Sequence, residues 1–422
     1  MGRGDPGAGL GPDCPRRIDR RRRRPRRRAQ LAAHRPANPV GLPGTGMKVL
    51  LLSKAFLARE YRKKLTALSA QPGLDVAAVG PRHWGEGQER QEHEPGDPDG
   101  YRFYFLDCRF NGRFHLHHFP GLGRLLDRLR PDLLHIDEEP YNLAAGLAAF
   151  AARRRRIPSL FFAWQNLLRR YPPPFSLVER YCYRTCGAIA GTEQAARVLR
   201  TKGFAGPLAT IPQFGIDPET FSSAGGGAAA GEELVVGYAG RLVPEKGLTT
   251  LLQAAAMLDP APRLRFAGTG PLVGELRRAG TDGPLAGRIE ILGRFDSGQM
   301  PEFLNSVQVL VLPSLDRSNW MEQFGRVLVE AMACERVVVG SDSGAIPLVI
   351  GEAGLIVPQA DPGALARSLD RLRSPGLRSH YGRAGRRRVL DNFTHVSVAE
   401  ASASFYARFL DDRGRSQAAK SG

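Results

Sequence analysis

The chain has 422 residues and a formal net charge of +18, from 60 Lys or Arg and 42 Asp or Glu residues. A chain of this length can form two to three domains with hydrophobic cores of their own, which excludes a small scaffold that depends on disulfides. Half of the excess charge lies in residues 1–46, which hold 12 Arg and 3 Asp among Gly, Pro and Ala. Without apolar periodicity, this Arg-rich segment predicts a disordered tail that is separate from the main fold.

Two interpretations of the tail remain open: an arm for nucleic acid or anionic lipid, and an extension upstream of a second start at Met47. We favour the extension and do not expect a nucleic-acid partner. The sequence has neither an 18-residue apolar run nor the apolar core of a signal peptide, so we expect a cytoplasmic protein. Its five cysteines lack the paired spacing of a zinc site, which favours a reducing compartment and predicts no metal.

From Met47 onward, short apolar runs alternate with helical stretches, a pattern typical of α/β domains built on a mostly parallel sheet. Residues 81–100 are rich in Gly, Pro and charge and predict a long loop. The first half has predicted strands at 48–52, 74–79, 132–136, 159–163 and 188–190, and predicted helices at 58–68, 122–129 and 143–154.

A low-complexity segment at residues 222–231, rich in Gly, Ala and Ser, predicts a flexible linker. The alternation then restarts, so the sequence predicts two doubly wound α/β domains, at 47–221 and 232–392. Ligands of open parallel sheets lie at the carboxyl ends of the strands, which predicts a site in the cleft between the domains. The second half has predicted strands at 234–238, 264–267, 289–292, 309–312 and 337–340, predicted helices at 247–258, 272–279, 300–306 and 324–334, and predicted strand-end turns at 344–347 and 354–358.

The loop after the predicted strand at 234–238 carries Gly240, Arg241 and Lys246. Gly240 lets the backbone approach a ligand closely, and the two cations suit a diphosphate. On charge alone, solvated side chains on an ordinary loop remain the alternative.

A second group of polar residues surrounds the predicted helix at 324–334. Phe324 and Gly325 would open this helix, whose unpaired backbone N–H groups and positive dipole end form an anion site. Glu322, just before it, and Glu330, about two turns along, could accept hydrogen bonds from sugar hydroxyls and from a ribose diol. The alternative for Glu330 is a solvated helix position.

In their order along the chain, these motifs resemble those of family 4 retaining glycosyltransferases, which have the GT-B fold of two facing Rossmann-like domains. The resemblance covers residues 47–410 and implies that the segment 393–412 forms a helix that crosses back to the first domain. The motifs that carry it are Gly240-Arg241, Lys246-Gly247, Phe266 through Pro271, Gly293, Pro313-Ser314, and Glu322-x-Phe-Gly through Glu330-Ala-Met.

The resemblance implies a role for each matching residue. Arg241 and Lys246 would stabilise the departing diphosphate. Glu322 would contact the transferred sugar, and Glu330 would bind the ribose. Positioned cations and helix N–H groups do this without a metal or another cofactor, and no protein nucleophile is required. The implied catalytic residues are Arg241, Lys246 and Glu322, and the implied donor-binding residues are Gly240, Gly268, Gly270, Gly293, Arg294, Gln323, Phe324, Gly325 and Glu330.

The acceptor side is less defined, because Ser53 to Phe56 replace the glycine pair that members of the family often carry after the first strand. The predicted strand at 132–136 ends where the family often has a histidine-containing catalytic loop, but we expect His135 to pack within the strand. The acceptor-side candidates are Asp137, Glu138, Trp164, Gln165 and Asn166.

A basic cluster, Arg153–Arg156 with Arg169 and Arg170, lies at and beyond the end of a predicted helix. Either it only complements the helix dipole, or it holds the protein peripherally at the inner face of a membrane, where relatives act on lipid-linked sugars. The expected partners are a nucleotide-sugar donor, a sugar or lipid-linked acceptor and, in the second case, an anionic membrane surface.

The predicted function is transfer of a sugar, with retention, from a nucleotide-sugar donor to an acceptor hydroxyl in polysaccharide, glycolipid or cell-envelope synthesis. The first alternative is a sugar-nucleotide epimerase with the GT-B fold. The second is an NAD(P)-dependent oxidoreductase, because Gly268-Thr-Gly270 with Gly274 approaches a dinucleotide fingerprint, though with one residue too many between the last two glycines. A metal-dependent transferase is not favoured, since Asp97-Pro-Asp99 lies in a charged loop and not after a strand.

Overall fold

The structure is a computed structural model that describes residues 46–421 apart from 86, 88–89, 97, 224–232 and 296–297, with side chains described as far as residue 415. Nearly all of the Arg-rich segment and most of the predicted linker therefore lie outside the described residues. The described chain forms two parallel sheets that are covered by helices, which confirms the predicted two-domain α/β architecture.

The first half contains a sheet of seven strands. Its elements are β1 (Met47–Leu52), α1 (Arg59–Ser69), β2 (Leu74–Gly80), β3 (His83–Trp84), β4 (Gln91–Glu92), β5 (Arg102–Phe105), α2 (Leu122–Leu129), β6 (Leu133–Ile136), α3 (Leu143–Arg153), β7 (Ser159–Ala163), α4 (Phe175–Thr185), β8 (Gly187–Ala190), α5 (Glu193–Thr201) and β9 (Leu208–Thr210). The strand order is β5-β2-β1-β6-β7-β8-β9, and all neighbours pair in parallel.

The second half contains a sheet of six strands. Its elements are β10 (Val235–Ala239), α6 (Leu248–Ala256), β11 (Arg263–Ala267), α7 (Val273–Thr281), β12 (Ile289–Gly293), α8 (Met300–Asn305), β13 (Val309–Leu312), α9 (Arg326–Ala333), β14 (Val337–Ser341), α10 (Ile346–Ile350), β15 (Leu355–Val357), α11 (Pro362–Arg371), α12 (Pro375–Asn392) and α13 (His395–Ser421). The strand order is β12-β11-β10-β13-β14-β15, again with parallel pairing.

The first strand shows why the first half folds this way. Leu50 and Leu52 of β1 lie in one hydrophobic cluster, and Val49 and Leu51 lie in another, so both faces of the strand are buried. A parallel sheet covered by helices on both faces requires such a continuous apolar run. Helices α2 to α5 complete the first cluster, whereas α1 and α13 complete the second.

Several elements lack the apolar pattern by which the others are predicted. The edge strand β5 begins with the exposed Arg102. The predicted loop at 81–100 contains, in its described part, the short antiparallel pair of β3 and β4. The segment 354–358, predicted as a turn, contains the edge strand β15. Apolar runs also fail to indicate α4, α5, α11 and α12, since charged residues are frequent in these helices and obscure their apolar faces.

The chain enters the second half before the predicted linker, because Ile216 and Phe221 already pack in the core of the second sheet. It returns after α12. At this return, Ile216 N donates to the Phe393 carbonyl over 2.8 Å, and His395 N donates to the Ile216 carbonyl over 3.2 Å. The two crossings of the chain therefore lie side by side. From there, α13 packs on the first sheet.

Candidate functional site

The loop between β10 and α6 passes very close to the end of β13. Gly247 has a φ of +69°, and a Cβ at this position would lie 1.8 Å from the Pro313 carbonyl oxygen. Only glycine combines this backbone conformation with so close an approach. The approach places Lys246, the preceding residue, beside the segment that follows β13.

Lys246 and Glu322 form an ion pair at this edge of the second sheet. Lys246 Nζ lies 2.5 Å from Glu322 Oε2, and the two side chains are 14% and 11% exposed. The Ser314 hydroxyl donates a hydrogen bond to the same carboxylate oxygen over 3.0 Å. The cation assigned to the diphosphate and the carboxylate assigned to the sugar are thus neighbours, although 76 positions separate them in the sequence.

The helix α9 carries the second predicted carboxylate, Glu330. The helix begins at Arg326, not at Phe324 as predicted, because its cap residue Gly325 has a left-handed backbone with φ +76°. Arg326 Nε donates to Glu330 Oε1 over 2.8 Å, one turn away. Burial raises the pKa of Glu330 above its ordinary value, and Arg326 only partly offsets this. Glu330 is therefore buried and paired, and is not a solvated helix position.

Arg241 stands apart from the buried pair. Its side chain is 64% exposed and lies 3.6 Å from that of Glu245. The structure thus places one predicted diphosphate cation, Lys246, in the buried ion pair and leaves the other on the exposed rim of the same loop. An exposed guanidinium is free to reorient toward an anionic ligand.

The predicted donor-binding glycines lie at the carboxyl ends of neighbouring strands. Gly240 N donates to the carbonyl that ends β11 over 2.9 Å, and Gly268 N donates to the Gly293 carbonyl over 2.6 Å. Gly270 follows in the same turn, and the exposed Arg294 follows Gly293. These hydrogen bonds join the turns after β10, β11 and β12 along the edge that also carries Lys246.

Two of three consecutive carboxylates after β6 were predicted as acceptor-side residues. Asp137 accepts a hydrogen bond from Gln213 Nε2 over 2.9 Å, and burial raises its pKa above the ordinary value. Glu138 is buried and forms an ion pair with Lys54. Burial alone would raise the pKa of Glu138, but Lys54 and the other donors around it lower that pKa to about 2.

Glu139, the third of these carboxylates, is a site residue outside the predicted candidates. Its Oε1 accepts hydrogen bonds from the backbone N–H groups of Trp164 (2.7 Å) and Gln165 (3.0 Å), which fixes the loop after β7. Its Oε2 is buried without a hydrogen-bond partner. Burial raises the pKa of Glu139 to about 7. The run of three acids directly after a strand is the signal by which it could have been found.

A cavity of about 310 Å³ joins these acceptor-side residues to the second half, since its lining includes both Asp137 and Gln323. Asn166 does not line this cavity, but its Nδ2 donates to the Glu322 carbonyl oxygen over 3.0 Å. The Trp164 ring lies 5.8 Å from the ring of Phe324. The predicted acceptor-side residues therefore border the loop that carries the donor-side carboxylate.

Two further predicted positions have structural partners. His135 packs within the first sheet, where its Nδ1 lies 2.6 Å from the Tyr406 hydroxyl. Burial holds the pKa of His135 well below its ordinary value, so the ring stays neutral inside the core. Arg169, of the basic cluster, donates to the Asn319 carbonyl oxygen over 2.5 Å and so connects the two halves.

Two family models match this sequence, one on each half. The model described as "Glycosyl transferase 4-like domain" matches residues 57–213, which include the carboxylates after β6. The model described as "Glycosyl transferases group 1" matches residues 233–374, which include Lys246, Glu322 and Glu330. The chain is a GT-B glycosyltransferase of the family 4 type.

This glycosyltransferase is similar in sequence to proteins with related names. It is 28% identical to a D-inositol 3-phosphate glycosyltransferase of Streptomyces bingchenggensis, over 93% of this chain and 92% of that protein. It is 29% identical to an alpha-maltose-1-phosphate synthase of Mycobacterium tuberculosis, over 55% of this chain and 65% of that protein. The family models and these names favour a glycosyltransferase over the epimerase and the oxidoreductase.

Solved structures of similar proteins share the fold of the glycosyltransferase. A sucrose-phosphate synthase from Thermosynechococcus elongatus superposes with a TM-score of 0.64 at 21% identity, over 87% of this chain and all of that chain (100%). The Anabaena protein HepE, in complex with UDP and glucose, superposes with a TM-score of 0.61 at 18% identity, over 86% of this chain and 100% of that chain. At these identities the likeness supports the GT-B fold alone.

Within the described part of the glycosyltransferase, no helix combines the length and apolar character needed to cross a membrane. The His, Cys, Asp and Glu side chains of that part form no group that could hold a metal ion.

Proposed function

We propose that this glycosyltransferase moves a sugar, with retention of configuration and without a metal, from a nucleotide-sugar donor to an acceptor hydroxyl. The observation that carries the proposal is the Lys246–Glu322 pair, 2.5 Å apart, at the edge where the donor-side turns and the start of α9 converge. A cation at this edge suits a diphosphate, and a carboxylate beside it accepts hydrogen bonds from sugar hydroxyls.

Each proposed role follows from the charge and position of the group. As the bond between sugar and diphosphate breaks, negative charge grows on the diphosphate, and Lys246 and Arg241 offset it together with the N–H groups at the start of α9. Glu330, on the same helix, accepts hydrogen bonds from ribose hydroxyls. Because the acceptor attacks from the face that the diphosphate leaves, no side chain acts as a nucleophile.

A thermal-shift panel of nucleotide sugars tests the donor, beginning with UDP-glucose because the Anabaena structure contains UDP and glucose. A true donor at ~100 times its Kd adds ~2.7 kcal/mol to the stability of the protein. Glu330→Gln should reduce this shift and raise the donor KM, whereas the exposed Glu352→Gln on the same half should change neither. If no nucleotide sugar stabilises or is turned over by the wild-type protein, the proposed function is wrong.

We also propose that α3 and α4 present a docking surface for anionic lipids, which would serve a lipid-linked acceptor in glycolipid or cell-envelope synthesis. Leu147 and Phe150 of α3 and Leu177 of α4 are 42%, 48% and 60% exposed. Arg153 and Arg154, at the end of α3, are also exposed. Apolar side chains beside cations match the interface of a membrane that contains anionic lipids.

Sedimentation with vesicles tests this surface. Vesicles with phosphatidylserine should bind the protein more tightly than pure phosphatidylcholine vesicles, because basic residues near an anionic surface contribute ~1 kcal/mol each. Phe150→Ser should weaken binding, whereas Leu348→Ser, at an exposed leucine of the second half (43% exposed), should not. Equal binding to both vesicle types, or an equal effect of both variants, would contradict the proposed surface.

A further inference from the structure

The cavity beside β6 is lined by three acidic residues to which the proposed function gives no role. Its volume of about 310 Å³ is at the lower end for small-molecule sites, and Asp137, Glu138 and Glu139 all line it. Among the described residues of the lining, Lys54 alone carries a positive charge, and its ammonium group is bound to Glu138. Since Glu138 holds that cation, the lining offers three carboxyl groups and no free cation.

Two of the three carboxylates keep an oxygen without a hydrogen-bond donor. Asp137 is 3% exposed, and its Oδ2 has no hydrogen-bond partner and lies 4.0 Å from Lys64 Nζ. Glu139 Oε2 is likewise buried and unpartnered. A buried carboxyl oxygen without a hydrogen-bond partner is unfavourable, because burial removes its hydrogen bond to water and no protein group replaces it. Both residues line the cavity, and a ligand with O–H groups offers the kind of donor that these two oxygens lack.

We propose that this cavity takes the acceptor, and that the acceptor is an unphosphorylated saccharide or polyol whose hydroxyl groups donate hydrogen bonds to Glu139 and Asp137. The inference rests on the proposed function and specifies the acceptor class of the same site. It distinguishes this chain from three of the similar proteins, whose names refer to inositol 3-phosphate, maltose 1-phosphate and sucrose phosphate.

A phosphomonoester does not suit the cavity. It carries about −1.5 to −2 charges and is bound in proteins by Arg forks or clustered cations. The described lining contains no Arg, and its one Lys is held by a carboxylate. The phosphate would therefore lie against carboxylates without a free cation, whereas a neutral hydroxyl group finds two acceptors.

The position of the cavity is also right for an acceptor. Gln323, in its lining, directly follows Glu322, the carboxylate assigned to the transferred sugar. The hydrogen bond from Asn166 to the Glu322 carbonyl holds the loop after β7 against this segment. A hydroxyl bound in the cavity thus lies beside the place where the donor presents its sugar.

Paired acceptors test the inference with the full-length protein and the nucleotide sugar that gives the largest thermal shift. The pairs are glucose and glucose 6-phosphate, maltose and maltose 1-phosphate, and myo-inositol and inositol 3-phosphate, together with neutral oligosaccharides. The rate of nucleoside diphosphate release is measured with each acceptor, and the rate of donor hydrolysis without acceptor is subtracted. The corrected rate should be at least tenfold higher with a neutral compound than with its phosphomonoester. Equal or faster release with a phosphomonoester would overturn the inference, as would the absence of stimulation by every neutral compound. A protein that neither binds nor hydrolyses any nucleotide sugar would instead defeat the proposed function.

Glu139→Gln tests the role of the carboxylate itself. The amide keeps an oxygen for the N–H groups of Trp164 and Gln165, so the loop after β7 should retain its shape. The KM for the neutral acceptor should rise about tenfold. The ratio of the release rate with the neutral acceptor to that with its phosphomonoester should fall about tenfold. The exposed Glu92→Gln of the same half is the control and should change neither value. A loss of folding alone would lower both rates equally, so an unchanged preference in a well-folded Glu139→Gln protein would refute the role.

Discussion

Replacing Lys246 by Met tests whether the buried ion pair serves catalysis as well as stability. The substitution leaves Glu322 mostly buried without its cation, while the Ser314 hydroxyl still donates to the carboxylate. Removing one partner of a buried pair costs ~3–5 kcal/mol, and we expect ~3 kcal/mol here because the pair is not fully buried. For a domain of roughly 150–250 residues, a loss of ~3 kcal/mol corresponds to a fall in Tm of ~6–12 °C. Loss of one group that stabilises the leaving group should also lower kcat by ~10²–10³-fold.

Two further proteins separate these effects in assays of Tm and of nucleoside diphosphate release. The double variant Lys246→Met with Glu322→Gln has no unpaired charge, so its Tm should return to within a few degrees of wild type while kcat stays low. The control Lys202→Met breaks a comparably buried pair with Glu179 in the first half, and should lower Tm without lowering kcat. If Lys246→Met keeps the wild-type kcat, or if the double variant regains it, the reasoning about the leaving group is wrong.

Two more predictions concern stability. Gly247→Ala should lower Tm far more than Gly283→Ala. Both glycines have a left-handed φ, but only the Cβ added at Gly247 would clash, 1.8 Å from the Pro313 carbonyl oxygen. Equal decreases in Tm for the two variants would contradict this. Burial lowers the pKa of His395 to about 4 from the ordinary 6.5. Between pH 6.5 and about pH 4, His395 is therefore protonated in the unfolded chain but neutral in the folded protein. As the pH falls through this window, His395 lowers the free energy of unfolding by up to ~3 kcal/mol. Urea denaturation of His395→Gln at pH 7 and pH 4.5 should show a smaller loss than wild type, and an identical loss would be evidence against this assignment.

Strands that are buried on both faces could be predicted from the sequence almost to the residue. For β7 and β13 the predicted and observed bounds coincide, because a continuous apolar run marks such a strand at both ends. Edge strands such as β5 carry charged residues and lack this mark. Apolar patterns also do not predict where a helix begins when the start depends on the backbone conformation of one residue, such as Gly325 before α9.

The types of the site residues could be read from motifs, but their partners could not. Lys246 meets Glu322 only because Gly247 lets its loop pass against the end of β13, and no local pattern reports that approach. Glu139 acts on the backbone of the loop after the next strand, a contact that depends on the strand order of the sheet. Sequence motifs thus identify which groups are present, whereas tertiary contacts decide which of them are paired before a ligand binds.

The two crossings at Ile216 and Phe393–His395 confine how the halves can move. Neighbouring covalent connections that are hydrogen-bonded to each other form a hinge, and an axis of rotation between the halves would pass through it. Phe324 lies close to this axis, since its ring is 5.8 Å from that of Phe393 and 5.8 Å from that of Trp164. A ligand that contacts Phe324 therefore acts directly beside the place where the two halves are joined.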